Sequence, residues 1–289
     1  MRWPPYKHVF FDCDSTLTTV EGIDVLARSA GKGWRVEVLT RAAMDGELEL
    51  EEVYDKRLTA VRPTRAQIND IRRVYKQNIV EDAPAVIAAL RELGHEVYII
   101  SGGLAEPVIE FGLYLGVPRA NIRAVQVDYD ELSGPWWLNS DSREGQKRYR
   151  RYNEGALTVS DGKAQIVREL LGEQRGRSIL VGDGMSDLYA GQAVDLFVGF
   201  GGVTRRSRVV QEAVCYVDSP SLAPILPIAA GPAMLPSLER QGRKELSNKS
   251  KQLIETGVVT FQDERLREKF EQAYQAVYPR PDRGSPRNT

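Results

Sequence analysis

At 289 residues the chain can bury a sizeable interior, either as one large domain or as a core with a smaller satellite. Its 39 basic and 40 acidic side chains nearly cancel, which argues against nucleic-acid or membrane-surface binding and leaves a small molecule as the expected partner. Two cysteines, Cys13 and Cys215, and an N-terminal Met-Arg-Trp-Pro-Pro-Tyr-Lys run with no secretion-type apolar stretch predict a reduced, cytoplasmic protein, and no apolar run approaches the roughly 20 residues of a membrane span.

In chain order, 8–13 reads as a short buried strand that ends in polar residues. Residues 20–81 then hold no good strand but have helical patterns at 23–28, 34–44, 51–61 and 66–77. Pro63 and Thr64 separate the last two, since proline fixes φ and threonine can cap the next turn. This segment is expected to be a small helical cap domain. From 82 onward strands and helices alternate. Val86, Ile87, Leu90 and Leu93 have helical spacing and stop at Gly94, while Ile166, Val167, Leu170 and Leu171 stop at Gly172. Buried strands are expected at 96–100, 122–127, 178–181, 196–200 and 215–217. Such alternation predicts an α/β fold with a Rossmann-like parallel sheet, whose core comprises 1–19 and 82–230.

Two segments depart from that rhythm. Residues 128–161, with Ser133-Gly-Pro-Trp-Trp and a charged run at 143–151, exceed a simple connection and suggest a long hairpin. The Trp136-Trp137 pair is expected to pack on the core or the C-terminal helices, and the basic run at 147–152 to be a solvated strand face. After Gly231 a helical extension is expected over 231–278, with patterns at 235–256 and 264–277, followed by a disordered tail at 279–289.

Chemistry concentrates where predicted strands end. Asp12 and Asp14, two residues apart on extended chain, share a face, and their mutual repulsion calls for a hard divalent cation. Gly182-Asp183-Gly184-Met185-Ser186-Asp187 follows the strand at 178–181 with a second acidic pair, and it lacks the final glycine of a dinucleotide fingerprint. After the strand at 96–100, the Ser101 hydroxyl and the backbone of Gly102 and Gly103, at the start of a helix from 105 or 106, suit an anion. Lys163 opens another helix, where the dipole disfavours it unless an anion is near.

These four elements, in order, resemble the haloacid dehalogenase superfamily: an Asp-x-Asp-x-Thr loop, a Ser or Thr after a strand, a Lys, and an acidic pair. Over about 7–227 the likeness is greatest to the phosphoserine phosphatases. It rests on Phe11-Asp-Cys-Asp-Ser-Thr-Leu-Thr-Thr-Val-Glu21-Gly-Ile-Asp and on Met44-Asp-Gly-Glu-Leu-Glu-Leu50-Glu-Glu-Val-Tyr-Asp-Lys-Arg57. Three features depart from that family: Ser186 stands for its usual Asn, Leu50 for an aromatic residue, and the 128–161 segment is longer.

The resemblance implies a Mg²⁺-dependent phosphomonoester hydrolase, with phosphoserine the expected substrate. Asp12 would be the nucleophile and Asp14 the general acid and base. Mg²⁺ would be held by Asp12, the Asp14 carbonyl and Asp183, with Asp187 orienting its waters. Ser101, Gly102 and Lys163 would bind phosphate, Glu21 the substrate ammonium and Arg57 its carboxylate. Gly22 and the Asp82-Ala-Pro84 junction are expected hinge neighbourhoods.

The same residues are compatible with other readings: a phosphatase for a sugar phosphate, a phosphoalkanolamine or homoserine phosphate, a phosphotransferase, or a regulatory protein on a retired scaffold. A homodimer is also open. Neither cysteine has an arginine six positions later, and two histidines, His8 and His95, are too few for a histidine-based site, so those phosphatase chemistries are excluded.

Overall fold

The computed structural model describes residues 3–134, 137 and 141–279. Trp136 and residues 280–289 of the expected tail lie outside the described residues. Strand β1 (His8–Phe11) is followed by four helices, α1 (Gly22–Ser29), α2 (Gly33–Met44), α3 (Leu50–Val61) and α4 (Arg65–Gln77). Then come α5 (Ala83–Glu92), β2 (Glu96–Leu104), α6 (Ala105–Tyr114), β3 (Ile122–Val125), β4 (Val127–Asp130), α7 (Asp141–Gln146) and β5 (Arg148–Tyr152). The rest is α8 (Lys163–Leu171), β6 (Ser178–Gly182), α9 (Met185–Ala190), β7 (Leu196–Phe200), α10 (Ser207–Glu212), β8 (Cys215–Val217), α11 (Ile225–Ala230), α12 (Leu235–Arg240), α13 (Lys244–Glu255), β9 (Val259–Phe261) and α14 (Glu264–Val277).

Seven strands form one sheet in the order β3-β2-β1-β6-β7-β8-β9. All pairs are parallel except β8 with β9. Strands β1 and β6 are buried along their whole length, because helices cover both faces of a parallel sheet and leave no solvated side for polar alternation. Chain order turns at β1: β2 and β3 extend the sheet to one side, β6 to β8 to the other. An open sheet leaves a crevice at such a switch point, beyond the carboxyl ends of its strands.

The segment between β1 and α5 is helical as expected. Thr64 starts α4 with a reciprocal capping box: its hydroxyl accepts from the Gln67 amide, and the Gln67 side chain accepts from the Thr64 amide. The expected hairpin is the antiparallel pair β4 and β5, in a sheet of its own. It leans on the helical segment, since the Tyr149 amide donates to the Pro63 carbonyl and the Arg65 amide to the Lys147 carbonyl, at 2.8 and 2.9 Å. Trp137 is 67% exposed, which departs from the expected packing on the core or the C-terminal helices.

The C-terminal region departs from the sequence reading in two places. The single helical pattern over 235–256 is two helices, broken at Gly242, whose φ of +83° a side chain would strain. Val259–Phe261 is a strand that closes the sheet edge against Cys215–Val217, and three residues are too few to carry a periodic signal. Trp3 joins this region to the core. Its ring meets Phe270 edge-on at 5.0 Å and Phe261 at 6.3 Å, and its indole N–H donates to the Ile228 carbonyl at 2.8 Å.

Phe270 is nearly fully buried in that cluster. Replacing it with alanine should therefore lower unfolding stability by about 3 kcal/mol or more in denaturant melts. A loss below about 1 kcal/mol would show that α14 is peripheral to the fold.

Candidate active site

Register between neighbouring strands assembles the site. Phe11 lies beside Ile99 of β2 and Val181 of β6, so the residues that follow all three emerge at one edge. The Asp12 amide donates to the Val181 carbonyl at 2.9 Å, which fixes Asp12 next to the loop that carries Asp183. Ser101 stands two positions past Ile99. Strand β2 runs on to Leu104, beyond its expected end at 100, so Ser101 and Gly102 belong to a strand end and α6 begins three residues later. The Ser101 hydroxyl accepts from the Gly103 amide at 2.9 Å.

Lys163, the first residue of α8, is buried between two carboxylates. Its ammonium lies 2.8 Å from Asp12 Oδ1 and 2.7 Å from Asp187 Oδ1. Burial works against its charge, but the two anions more than offset this and raise its pKa. Gly182 makes room for Asp187, because a Cβ at 182 would sit 2.3 Å from the Asp187 Cγ. The Gly184 amide donates to Asp187 Oδ2 at 3.2 Å.

Asp14 accepts from the Gly22 amide through Oδ2 at 3.3 Å, while its buried Oδ1 has no partner. Burial pushes its pKa up to about 7; the Tyr75 hydroxyl pulls it down and Asp12 adds to the rise. Gly22 serves close approach: a Cβ there would lie 2.5 Å from the Tyr75 hydroxyl. Ser15, in the left-handed region at φ 54°, turns its hydroxyl to donate to Glu21 at 2.7 Å. Burial and then Asp14 push Glu21 up to about 8.

One cavity joins these groups. Asp12, Asp14, Glu21, Arg57, Ser101, Gly102 and Lys163 line it, with Leu50 and Ser186 also on its wall. Arg57 is buried. One guanidinium nitrogen donates to the Thr40 hydroxyl at 3.3 Å, yet Nε has no partner. Burial lowers its pKa, with Tyr54 and Glu21 opposing.

Carboxylate oxygens of Asp12, Asp183 and Asp187 lie within 4.8 Å of one another. These donors are hard oxygens in a buried, acid-rich setting, which fits a small divalent cation such as Mg²⁺ and not a thiolate- or imidazole-seeking metal. The pKa of Asp183 and of Asp187 is raised, in both cases chiefly by burial.

Several residues in the site escaped the sequence reading. Arg206, at the start of α10, donates from Nε to Asp183 Oδ2 at 3.0 Å. Thr16 donates to Asp183 Oδ1 at 3.2 Å and had a signal, as the last residue of the Asp-x-Asp-x-Thr loop. Tyr54 donates from its hydroxyl to the Gly102 carbonyl at 2.8 Å, joining α3 to the end of β2. Tyr75 and Arg206 had none, for each reaches the site only through tertiary packing.

The model of the haloacid dehalogenase-like hydrolases matches residues 9–192. The chain belongs to that family. It is similar to the phosphoserine phosphatase of Drosophila melanogaster, 32% identical over 72% of this chain and 73% of that one, and to that of Mus musculus, 29% identical over 72% and 88%. A solved phospho-aspartyl intermediate analogue of a phosphoserine phosphatase shares the fold, with a TM-score of 0.63 at 23% identity over 77% of this chain and 98% of that one. The chain is a phosphomonoester hydrolase. Among the described residues no helix is long and apolar enough to cross a membrane.

The crowded carboxyls have a thermodynamic consequence. Asp14, Glu21, Asp183 and Asp187 all have folded-state pKa values above their ordinary ones. The folded state therefore holds more protons than the unfolded chain near neutrality, and stability is lost as pH rises through the raised values. In protein stripped of divalent ions, Tm should fall between about pH 6 and about pH 8.5, and saturating Mg²⁺ should flatten the profile. A Tm that rises over that interval without metal would contradict the charge arrangement.

Proposed function

We propose that the protein is a Mg²⁺-dependent phosphoserine phosphatase that works through an aspartyl-phosphate on Asp12. Its curated relatives support phosphoserine as substrate. One observation about the chain itself carries the reading: the buried Arg57, with its unpartnered Nε, lines the same cavity as Glu21 and Asp12. A guanidinium is shaped for a carboxylate, and a carboxylate such as Glu21 for an ammonium. A zwitterionic amino acid whose phosphate reaches Asp12 satisfies both.

Lys163 holds Asp12 Oδ1, which leaves Oδ2 to attack phosphorus. As the bond from phosphorus to the serine oxygen breaks, the Asp14 carboxyl gives its proton to that oxygen. In the second half Asp14, now a carboxylate, takes a proton from water, whose oxygen attacks phosphorus. The bond to Asp12 breaks, and phosphate leaves. A carboxyl pushed up to about 7 can serve in both protonation states near neutrality. Ser101, the Gly102 amide and Lys163 hold the phosphoryl oxygens. Mg²⁺, held by Asp12, Asp183 and the Asp14 carbonyl with its waters on Asp187, would add positive charge beside those oxygens. The helical segment, residues 20–81, acts as a cap domain that shields the reacting groups from water.

Phosphate release separates the candidate substrates. With Mg²⁺ present, phosphoserine should be preferred over a phosphoalkanolamine, which lacks the carboxylate, and over sugar phosphates, which lack both charges. Arg57→Ala should raise KM for phosphoserine about 10- to 100-fold, the worth of a charged hydrogen bond, and leave the phosphoalkanolamine within about 2-fold. Equal effects on both substrates would overturn the assignment of Arg57 to the carboxylate.

A further inference from the structure

Arg206 is the one residue in the site that touches three separate parts of the chain among the contacts described. It follows β7 and starts α10, and only 6% of its side chain is exposed. Nε donates to Asp183 Oδ2, on the loop after β6, at 3.0 Å. Nη1 donates to Asp45 Oδ1, at the end of α2, at 3.2 Å. Nη2 lies 3.9 Å from Glu21 Oε1, on the loop before α1. Asp183 follows a strand of the sheet, whereas Asp45 belongs to the helical segment. A guanidinium suits this, because its nitrogens are fixed in a plane and aim at acceptors on separate elements at once.

We infer that Arg206 is a positioning residue for the proposed reaction, which fastens the helical segment over the cavity and orients Asp183 and Glu21 together. The inference rests on the reading of the cavity as a phosphomonoester site, but its geometry does not. When the segment lies against the sheet, as here, Asp45 and Asp183 share one guanidinium. Lifting the segment removes Asp45 from Arg206, and with it one of the anions that offset the burial of that cation. Closure and the placement of two site carboxylates are thereby tied to a single side chain. The segment is held elsewhere too, by Tyr54 on Gly102 and by Arg65 on Glu106 among other contacts, so loss of the Arg206 bridge loosens it without unfolding it.

Asp45 provides the cleaner test, because it takes no part in the chemistry and is part-exposed. Hydrogen exchange of residues 33–61 is measured in the full-length chain as wild type, Asp45→Ala, Arg206→Gln and the double variant. Each single change should speed exchange there about 3- to 10-fold, and the double variant should add nothing to the larger single effect. Additive effects, or unchanged exchange in Asp45→Ala, would overturn the inference. This readout needs no turnover, so it stands or falls apart from the substrate assignment. In kinetics with whichever phosphomonoester the protein hydrolyses, Asp45→Ala should raise KM about 3- to 10-fold with kcat within about 2-fold. Arg206→Gln should lower kcat as well, and Arg206→Lys should recover only part of it, since the compact lysine ammonium lacks the planar spread of nitrogens that reaches Asp183, Asp45 and Glu21 together. A full recovery by lysine, or a kcat loss in Asp45→Ala equal to that in Arg206→Gln, would show that the charge alone matters and not the bridge.

Discussion

Crowding of like charge at the carboxyl end of neighbouring strands is the constraint around which this molecule is organised. Asp12, Asp14, Glu21, Asp183 and Asp187 converge where β1 and β6 stop, in surroundings that exclude most water. Burial disfavours each anion, and each neighbour disfavours the others. Two buried cations answer this from within the chain. Lys163 sits between Asp12 and Asp187, and Arg206 between Asp183 and Asp45. Such pairs contribute little net stability, because desolvation offsets attraction, yet removal of one partner costs about 3–5 kcal/mol. What they supply is placement. The lysine stands at a helix N-terminus against the dipole, a position that the anions alone make favourable.

The same constraint explains the division of labour between sheet and helical segment. Register among β2, β1 and β6 sets Ser101, Asp12 and Asp183 at one edge, where an anion or metal can meet all of them. Arg57 on α3 and Glu21 before α1 face the same cavity. The long hairpin extends this arrangement: β5 is hydrogen-bonded to the Pro63 turn, and Arg65 is ion-paired to Glu106 of α6 at 2.9 Å. The C-terminal helices reach the other end of the segment, where Lys249 meets Glu81 and Asp82 at 2.6 and 2.5 Å.

Much of this was legible in the sequence because it is local. Buried strands followed by Asp-x-Asp, Ser-Gly-Gly and Gly-Asp announce themselves within a few residues, and the four helices before α5 show their period and their capping threonine. Lys163 gained meaning only from its place in the series of motifs, since a single lysine at a helix start reads as surface. Arg206 was invisible for a different reason. It lies in Thr204-Arg-Arg-Ser-Arg208, where nothing local separates it from Arg205 or Arg208, and its partners are 23 and 161 residues away. Tyr75 looked like one more apolar position of α4, and only packing brings its hydroxyl beside Asp14 and Gly22. Strand β9 was missed because three residues on an edge need only one neighbour and leave no pattern.

Phosphorylation of Asp12 is the step on which the proposed reaction turns. The most direct measurement is an acid quench of the Mg²⁺-loaded protein during turnover of phosphoserine, followed by borohydride reduction and peptide mass analysis. An acyl phosphate on Asp12 predicts conversion of that residue alone to homoserine, with Asp14, Asp183 and Asp187 unchanged. Turnover with no modified Asp12, or with the reduction product at another carboxylate, would contradict it.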